Sequence, residues 1–121
     1  MQYAILFHES PAEFARRAGP EAAAYWSTWS AYFGALGERT KSGACLQGPG
    51  AGAVVRVNGT GREVQDGPYA DSKEHLGGFA VIEADSLEDA LQWAERCPAA
   101  ASGAVEVRPV LPMNDAPEMK S

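Results

Sequence analysis

The turn Asp66-Gly67-Pro68-Tyr69 and the histidine that follows it, His75, are the residues of this chain whose types and spacing best suit chemistry. Aspartate supplies a carboxylate that can act as a base, and histidine titrates near neutrality, so the two have the make-up of an acid–base couple. His75 lies nine residues beyond Asp66 on a segment leading into an apolar strand, where folding can bring the pair within hydrogen-bond reach. Arg56, Tyr69, Glu106 and Arg108 are the candidates for holding a substrate, the two arginines because a guanidinium fork matches an anionic group. Each candidate also has a plain structural role open to it. Aspartate before glycine is a common turn residue that accepts backbone hydrogen bonds. His75 can be a loop residue facing solvent, and Arg56, Glu106 and Arg108 can be solvated or mutually paired. His8 ends the first strand, where polar side chains often emerge at a sheet rim.

Other chemistries are poorly supported. The two histidines and scattered carboxylates show no His-x-x-x-His or His-Glu-x-x-His spacing, so no metal site is expected. Gly48-Pro49-Gly50-Ala51-Gly52 is glycine-rich but lacks the Gly-Lys-Ser/Thr ending of a phosphate loop and precedes a strand, so it reads as a plain loop. No cofactor is implied. Cys45 and Cys97 are far apart and outside any Cys-x-x-Cys spacing, which reads as two buried thiols rather than a zinc site or disulfide framework. Tyr25, Trp26, Trp29 and Tyr32 could form an aromatic box, but a core stripe on a helix looks the same.

The 121 residues suffice for one domain with a real core. That domain is expected over residues 1–113, with a polar tail from Asn114 to Ser121. Net charge is −6, which disfavours nucleic acid, because a phosphate backbone would be repelled. No apolar run reaches the ~18 residues that would span a bilayer, and no basic segment precedes an apolar signal core. The expectation is therefore a cytoplasmic protein with no membrane association.

The elements that must position the candidates follow from periodicity. Gln2 to His8 is apolar on both alternating sets, as in a strand covered on both faces. A short helix follows Ser10-Pro11, and a longer one runs from Glu21 to Thr40, with Ala22, Tyr25, Trp26, Trp29, Phe33 and Leu36 on one stripe and Tyr32 off it. Gly43 is expected to stop this helix, with a short strand at Ala44 to Gln47. Ala53 to Asn58 and Arg62 to Asp66 form a hairpin about Gly59-Thr60-Gly61. Gly78 to Ala84 is a core strand, and Ser86 with Asp89 has the spacing of a capping pair. Leu87, Ala90, Leu91, Ala94 and Cys97 line the helix that follows, which Pro98 stops before a last strand from Ala104 to Leu111.

This order predicts a ferredoxin-like α+β fold, a split β-α-β sandwich with both helices on one face of an antiparallel sheet. By alternation, Val55, Val57, Phe79, Val81, Val105 and Val107 would lie under the helices. Val54, Arg56, Ala80, Ile82, Glu106, Arg108 and Val110 would form the other face. So apolar a face calls for a cover, and a homodimer pairing two sheets would supply it, leaving the charged side chains to line a cavity between subunits.

Asp66-Gly67-Pro68-Tyr69, the Lys73-Glu74-x-Leu76-Gly77-Gly78-Phe79 segment, the Ala94-x-x-Cys97-Pro98 helix end and the run Gly103 to Val110 together resemble the YCII-related, DGPF-domain family. The resemblance covers nearly the whole chain, with Tyr69 where the family usually has phenylalanine. It implies a ferredoxin-like fold assembled as a dimeric α/β barrel, and proteins of unknown function often encoded beside sigma factors of the extracytoplasmic-function type. A more distant YciI-like branch includes a dehalogenating lactone enzyme whose histidine lies near the start of the first helix. No histidine lies between Glu9 and Glu74 here, so that role has no carrier. Two functions stay open at this point. One is a small dimeric protein binding a small molecule in an inter-subunit cavity, with a link to sigma-factor signalling. The other is an enzyme of lyase, isomerase or dehalogenase type, acting on a small anionic or lactone-like substrate with Asp66 as acid or base.

Overall fold

The alternation in the first strand sets the architecture. In the computed structural model, which describes residues 1–70 and 72–113, strand β1 (Gln2–Glu9) buries Tyr3, Ile5, Phe7 and Glu9 and leaves Ala4, Leu6 and His8 half-buried on its other side. The polar tail expected from Asn114 to Ser121 lies outside the described residues. Strand β1 is flanked on both edges, by β5 (His75–Glu83) and β6 (Ala104–Pro109), and β5 carries β2 (Thr40–Cys45) on its far side. The result is a four-stranded antiparallel sheet of order β2-β5-β1-β6. Among the described residues, strands β3 (Ala53–Asn58) and β4 (Gly61–Asp66) pair only with each other, as a separate hairpin.

Helices cover one face of the sheet. Short α1 (Pro11–Ala15) is capped by the Ser10 hydroxyl, which accepts from the Glu13 amide, and Pro11 supplies a first turn that needs no amide donor. Long α2 (Ala22–Leu36) buries Tyr25, Trp29, Tyr32 and Leu36, residues three and four apart on one stripe. Helix α3 (Leu87–Glu95) starts at the Ser86 cap, whose hydroxyl accepts from the Asp89 amide while the Asp89 carboxylate accepts from the Asp85 amide. Short α4 (Pro98–Ser102) completes the layer. Tyr3, Ile5, Phe7, Ala80 and Ile82 meet Tyr25, Trp29, Tyr32, Leu36, Ala90 and Cys97 in one core, with Val105 and Val107 packed against it. Phe7 and Trp29 meet edge to face with ring centroids 4.9 Å apart, a favoured aromatic geometry.

A buried ionic group ties this layer to the sheet. Glu9 continues the inward-facing set of β1 and is only 2% exposed, so its charge must be matched where it sits. Arg17, just past α1, donates through Nη2 to Glu9 Oε1 at 2.7 Å, and the Tyr25 hydroxyl donates to Glu9 Oε2 at 2.6 Å. Arg17 Nε donates to the Tyr25 hydroxyl, its Nη1 to the Leu46 carbonyl and its Nη2 also to the Gly77 carbonyl. Its guanidinium lies 4.3 Å from the Phe14 ring centroid. Burial pushes the Tyr25 phenol well above its ordinary range, and the neighbouring Glu9 carboxylate pushes it further, so Tyr25 serves as a donor and not as a base. Gly77 is dictated by this group: a Cβ there would stand 2.5 Å from Glu9 Oε1 and 2.8 Å from Arg17 Nη2.

Several expectations are corrected. The long helix ends at Leu36, where Gly37 takes φ 56° and a short 3-10 turn (Gly37–Arg39) leads into β2 at Thr40. Gly43 lies inside β2 and not at a helix end; a Cβ there would approach the Phe79 carbonyl to 2.6 Å, so it is a close-packing glycine. Tyr32 belongs to the core stripe, its hydroxyl donating to the Trp93 carbonyl at 3.0 Å, whereas Trp26 is 40% exposed. Pro98 opens α4 instead of merely stopping α3, which ends at Glu95.

The two sheet faces are also redrawn. Ala80 and Ile82 lie under the helices and Phe79 and Val81 on the helix-free side, because small Gly78 and Ala80 are what fit against the bulky Phe7 and α2 aromatics. Val54, Val55, Arg56 and Val57 belong to the separate hairpin and to neither face of this sheet. Cys97 is buried as expected, but Cys45 is exposed because it lies on an edge strand.

This difference is testable. Burial pushes the Cys97 thiol up to about 12, so it is a poor nucleophile in the folded protein. Ellman's reagent at mildly alkaline pH should modify one thiol quickly, Cys45→Ser should abolish that reaction, and Cys97 should react only in denaturant. Rapid modification of both thiols in the native protein would contradict the placement.

Candidate functional site

The strand ends on one side of the molecule enclose a cleft of about 650 Å³. Its walls include the Leu46–Pro49 segment after β2, the stretch from Ala51 to Val54 that enters β3, the Gly67-Pro68-Tyr69 turn, and His75 with Leu76 at the start of β5. His8, at the end of β1, faces the same space. The Leu46 segment is held from behind, since its carbonyl accepts from Arg17 and its amide donates to the Gly77 carbonyl at 2.9 Å. The buried ionic group therefore fixes one wall of the cleft.

The turn is set by local geometry. Gly67 takes φ 96°, which a residue with a side chain would resist, and its amide donates to the Gly52 carbonyl at 2.8 Å. That bond clamps the loop before β3 to the turn after β4. Tyr69 then projects with 78% exposure, and the Arg56 guanidinium, two residues inside β3, stands 5.5 Å from its ring centroid. Arg56 and Tyr69 thus form one unit on the hairpin.

Glu106 and Arg108 form another, on the helix-free face of the main sheet. Leu6 is directly opposite Glu106 and Ala4 opposite Arg108, so these four share that face. Arg108 Nε donates to Glu106 Oε2, and His8 Nε2 stands 3.7 Å from Glu106 Oε1. The Arg108 guanidinium holds the Glu106 carboxyl below the usual carboxylate range, with His8 contributing further in the same direction. Being largely exposed, the pair contributes little to stability. The chain reaches β6 through Gly103, where a Cβ would stand 2.2 Å from the His8 carbonyl oxygen, so only glycine fits.

The sequence candidates therefore divide into groups. His75 and Tyr69 line the cleft, and Arg56 reaches it through Tyr69. Glu106 and Arg108 are joined to it through His8, which both lines the cleft and faces Glu106. Asp66 ends β4 with an exposed side chain, and the cleft lining begins one residue later, at Gly67. Reasoning from sequence missed the Leu46–Pro49 wall, whose residues look like any Gly-Pro loop, and it missed Glu9 and Arg17 and their bonds to Tyr25. The available signal for Glu9 was its position as the next inward member of the Tyr3, Ile5, Phe7 series. Among the described residues no three His, Cys, Asp or Glu side chains are grouped as metal ligands. None of their helices is long and apolar enough to cross a membrane. What the cleft offers is two imidazoles, a phenol and exposed backbone, which suit hydrogen bonding to a polar organic molecule.

Comparison with known proteins agrees with this architecture. The model of the YCII-related domain matches residues 1–114. An uncharacterized protein of Rhizobium meliloti (strain 1021) is 40% identical over 62 residues, covering 50% of this chain and 50% of that protein, so the chain spans about half the length of the curated relative it matches. Among solved structures, the 5-chloro-2-hydroxyhydroquinone dehydrochlorinase TftG of Burkholderia phenoliruptrix AC1100, in complex with 2,5-dihydroxybenzoquinone, superposes with a TM-score of 0.56 at 20% identity, covering 92% of this chain and 94% of that one. At that identity the likeness is one of fold: an antiparallel sheet with a few helices.

The Glu106 arrangement yields a measurable titration. Its carboxyl is lowered in the folded state, so its stabilising contribution is present above the unfolded value of about 4.3 and is lost as pH falls through the lower folded value. Carboxyl-carbon NMR should show Glu106 titrating below that ordinary value, and Arg108→Gln should move it upward. An unchanged titration in Arg108→Gln would contradict the pairing.

Proposed function

We propose that this chain, which belongs to the YCII-related domain family, binds a small polar organic molecule in the cleft between the Gly67-Pro68-Tyr69 turn and the end of β1. One observation carries the reading. Residues from the two segments that bear the family resemblance, the turn and the Glu74-His75-Leu76 stretch, come together with His8 around a single cleft although they lie on separate elements. Packing alone would not require a turn, a strand start and a strand end to leave an open space of ligand size lined by two imidazoles. His8, His75 and the Tyr69 hydroxyl in the lining make a hydroxylated ligand the better match, while Arg56 stands behind Tyr69 and Glu106 engages Arg108 and His8 outside the lining. TftG, of similar fold, was solved with a small oxygenated ring bound, which supports a ligand of that size.

The same reading includes a second copy of the chain. Leu6, Phe79 and Val81 leave an apolar centre on the helix-free face, ringed by His8, Glu106 and Arg108, and a second sheet would cover it. The strand order β2-β5-β1-β6, with a helix following each of β1 and β5, supports a ferredoxin-like sandwich and its pairing as a dimeric α/β barrel. The ligand would then lie at the edge of an inter-subunit cavity. A link to sigma-factor signalling is what the family resemblance adds.

An enzyme of lyase, isomerase or dehalogenase type is the second reading, favoured by one specific feature. The cleft brings together two imidazoles, side chains of the type used for general acid–base catalysis, and TftG carries out a dehydrochlorination on the same kind of fold. In this reading His75 or Asp66 acts as acid or base.

Isothermal titration calorimetry with 2,5-dihydroxybenzoquinone tests the binding site. Wild-type protein should bind saturably, and Tyr69→Ala and His75→Ala should each weaken binding about tenfold, equivalent to about 1.4 kcal/mol. Affinity unchanged in both folded variants would remove the cleft as the site.

A further inference from the structure

The β3–β4 hairpin is the part of the molecule least covered by the rest. Of the residues in its two strands only Val54 is half-buried, and the others are exposed. A two-stranded hairpin with no further partner is marginally stable in water. Register divides its side chains between two faces. Val54, Arg56, Glu63 and Gln65 share the one that meets the cleft, where Val54 is part of the lining and Arg56 stands at the Tyr69 ring. Ala53, Val55, Val57, Arg62, Val64 and Asp66 share the other. There Val55, Val57 and Val64 are 57%, 71% and 52% exposed, an apolar patch that nothing in the same chain covers among the described residues.

The order of side chains on this face is self-complementary. Val55 lies directly opposite Val64 at its centre, Ala53 opposite Asp66 at the base, and Val57 opposite Arg62 towards the tip. Consider a second copy laid face to face on it, related by a two-fold axis that runs across the strands through the Val55–Val64 pair. Such an axis turns the partner tip to base. It sets Val55 against the partner's Val55, Val64 against the partner's Val64, and bulky Val57 against the partner's small Ala53. It also brings Arg62 to the partner's Asp66, and Asp66 to the partner's Arg62. Within one hairpin these charges lie four residues apart on one strand, about 13 Å, too far to pair. Neither has an ion-pair partner among the described residues. An axis along the strands instead would set Arg62 over the partner's Val57 and leave both charges unmatched. The charges therefore select the tip-to-base arrangement, and the valines supply the area it buries.

We infer that the Val55, Val57 and Val64 face of the hairpin is an interaction surface for the same face of a second copy of this chain, packed tip to base about a two-fold axis. This surface is separate from the helix-free face of the main sheet, and it rests on neither reading of the cleft. A chain making both contacts would assemble beyond a dimer. Asp66, at the end of β4 and outside the cleft lining, orients the hairpin contact.

Brief cross-linking with a short bismaleimide reads this contact directly, in a Cys45→Ser background that leaves only the buried Cys97. Val55→Cys and Val64→Cys place a thiol at the axis and should each give cross-linked dimers, whereas Glu63→Cys, on the opposite face, should not. In the Val55→Cys chain, Arg62→Asp or Asp66→Arg should each raise the concentration of half-maximal cross-linking about tenfold, since each turns two symmetric ion pairs into repulsions. The two reversals together should return it to within about twofold of the starting value, because opposite charges meet again. All of these positions are exposed, so each variant should keep the wild-type circular dichroism spectrum. The inference is overturned if Glu63→Cys cross-links as readily as Val55→Cys, if neither reversal shifts the concentration, or if the double reversal fails to recover it. Absence of cross-linking at Val55, the result if a different protein occupies this face, overturns it as well.

Discussion

The buried carboxylate of Glu9 is the constraint on which the rest of the structure depends. An ionised group at 2% exposure persists only if its partners are exact in position, and here they are recruited from the whole molecule. Arg17 comes from the segment just past α1, Tyr25 from α2, and the remaining guanidinium bonds go to the Leu46 carbonyl after β2 and the Gly77 carbonyl in β5. Four elements are thereby held to the end of β1. Gly77 follows from the same constraint, because a Cβ there would push against Glu9 Oε1 and Arg17 Nη2 where the two pair. The family-like Leu76-Gly77-Gly78 run is thus explained by packing: its first glycine admits the ion pair, and its second admits β2 and Phe7, with the Ala44 carbonyl 2.8 Å from where a Cβ would be.

From that junction the two cavities diverge. On one side of Arg17 the Leu46 segment forms a wall of the cleft that also takes in the Gly67-Pro68-Tyr69 turn, His75 and His8. On the other side Glu9, Arg17 and Tyr25 line a second cavity, between α2 and β2, together with Trp26, Trp29 and Phe33. A single saturated polar group therefore shapes both spaces while offering a ligand in either one little of its own hydrogen-bonding capacity. Chemistry is left to residues outside it.

Much of the architecture was legible in the sequence, and the failures have physical reasons. Element order, the β3–β4 hairpin and the Ser86–Asp89 cap could be read because each rests on local signals: alternation, a glycine turn, a capping pair. The faces of β5 could not, since Phe79 and Val81 are as apolar as Ala80 and Ile82, and only the bulk of the opposing aromatics decides which set goes inside. Gly43 was misread for a related reason: a glycine required by a close approach to β5 looks, in sequence, like one that ends a helix. The cleft was partly legible through the turn and His75, but its Leu46–Pro49 wall and its dependence on Glu9 rest on contacts between residues 8 to 60 positions apart. No local pattern encodes those.

A double-mutant cycle on Glu9 and Arg17, followed by urea denaturation, tests most directly whether this group acts as one unit. Glu9→Gln and Arg17→Met should each destabilise by about 3–5 kcal/mol, because each leaves a buried partner unmatched. The double variant should be less destabilised than their sum by about 2 kcal/mol or more, within the range found for directly interacting residues. Additivity to within about 0.5 kcal/mol would contradict the account, showing that Glu9 and Arg17 contribute independently and that the fold does not turn on their pairing.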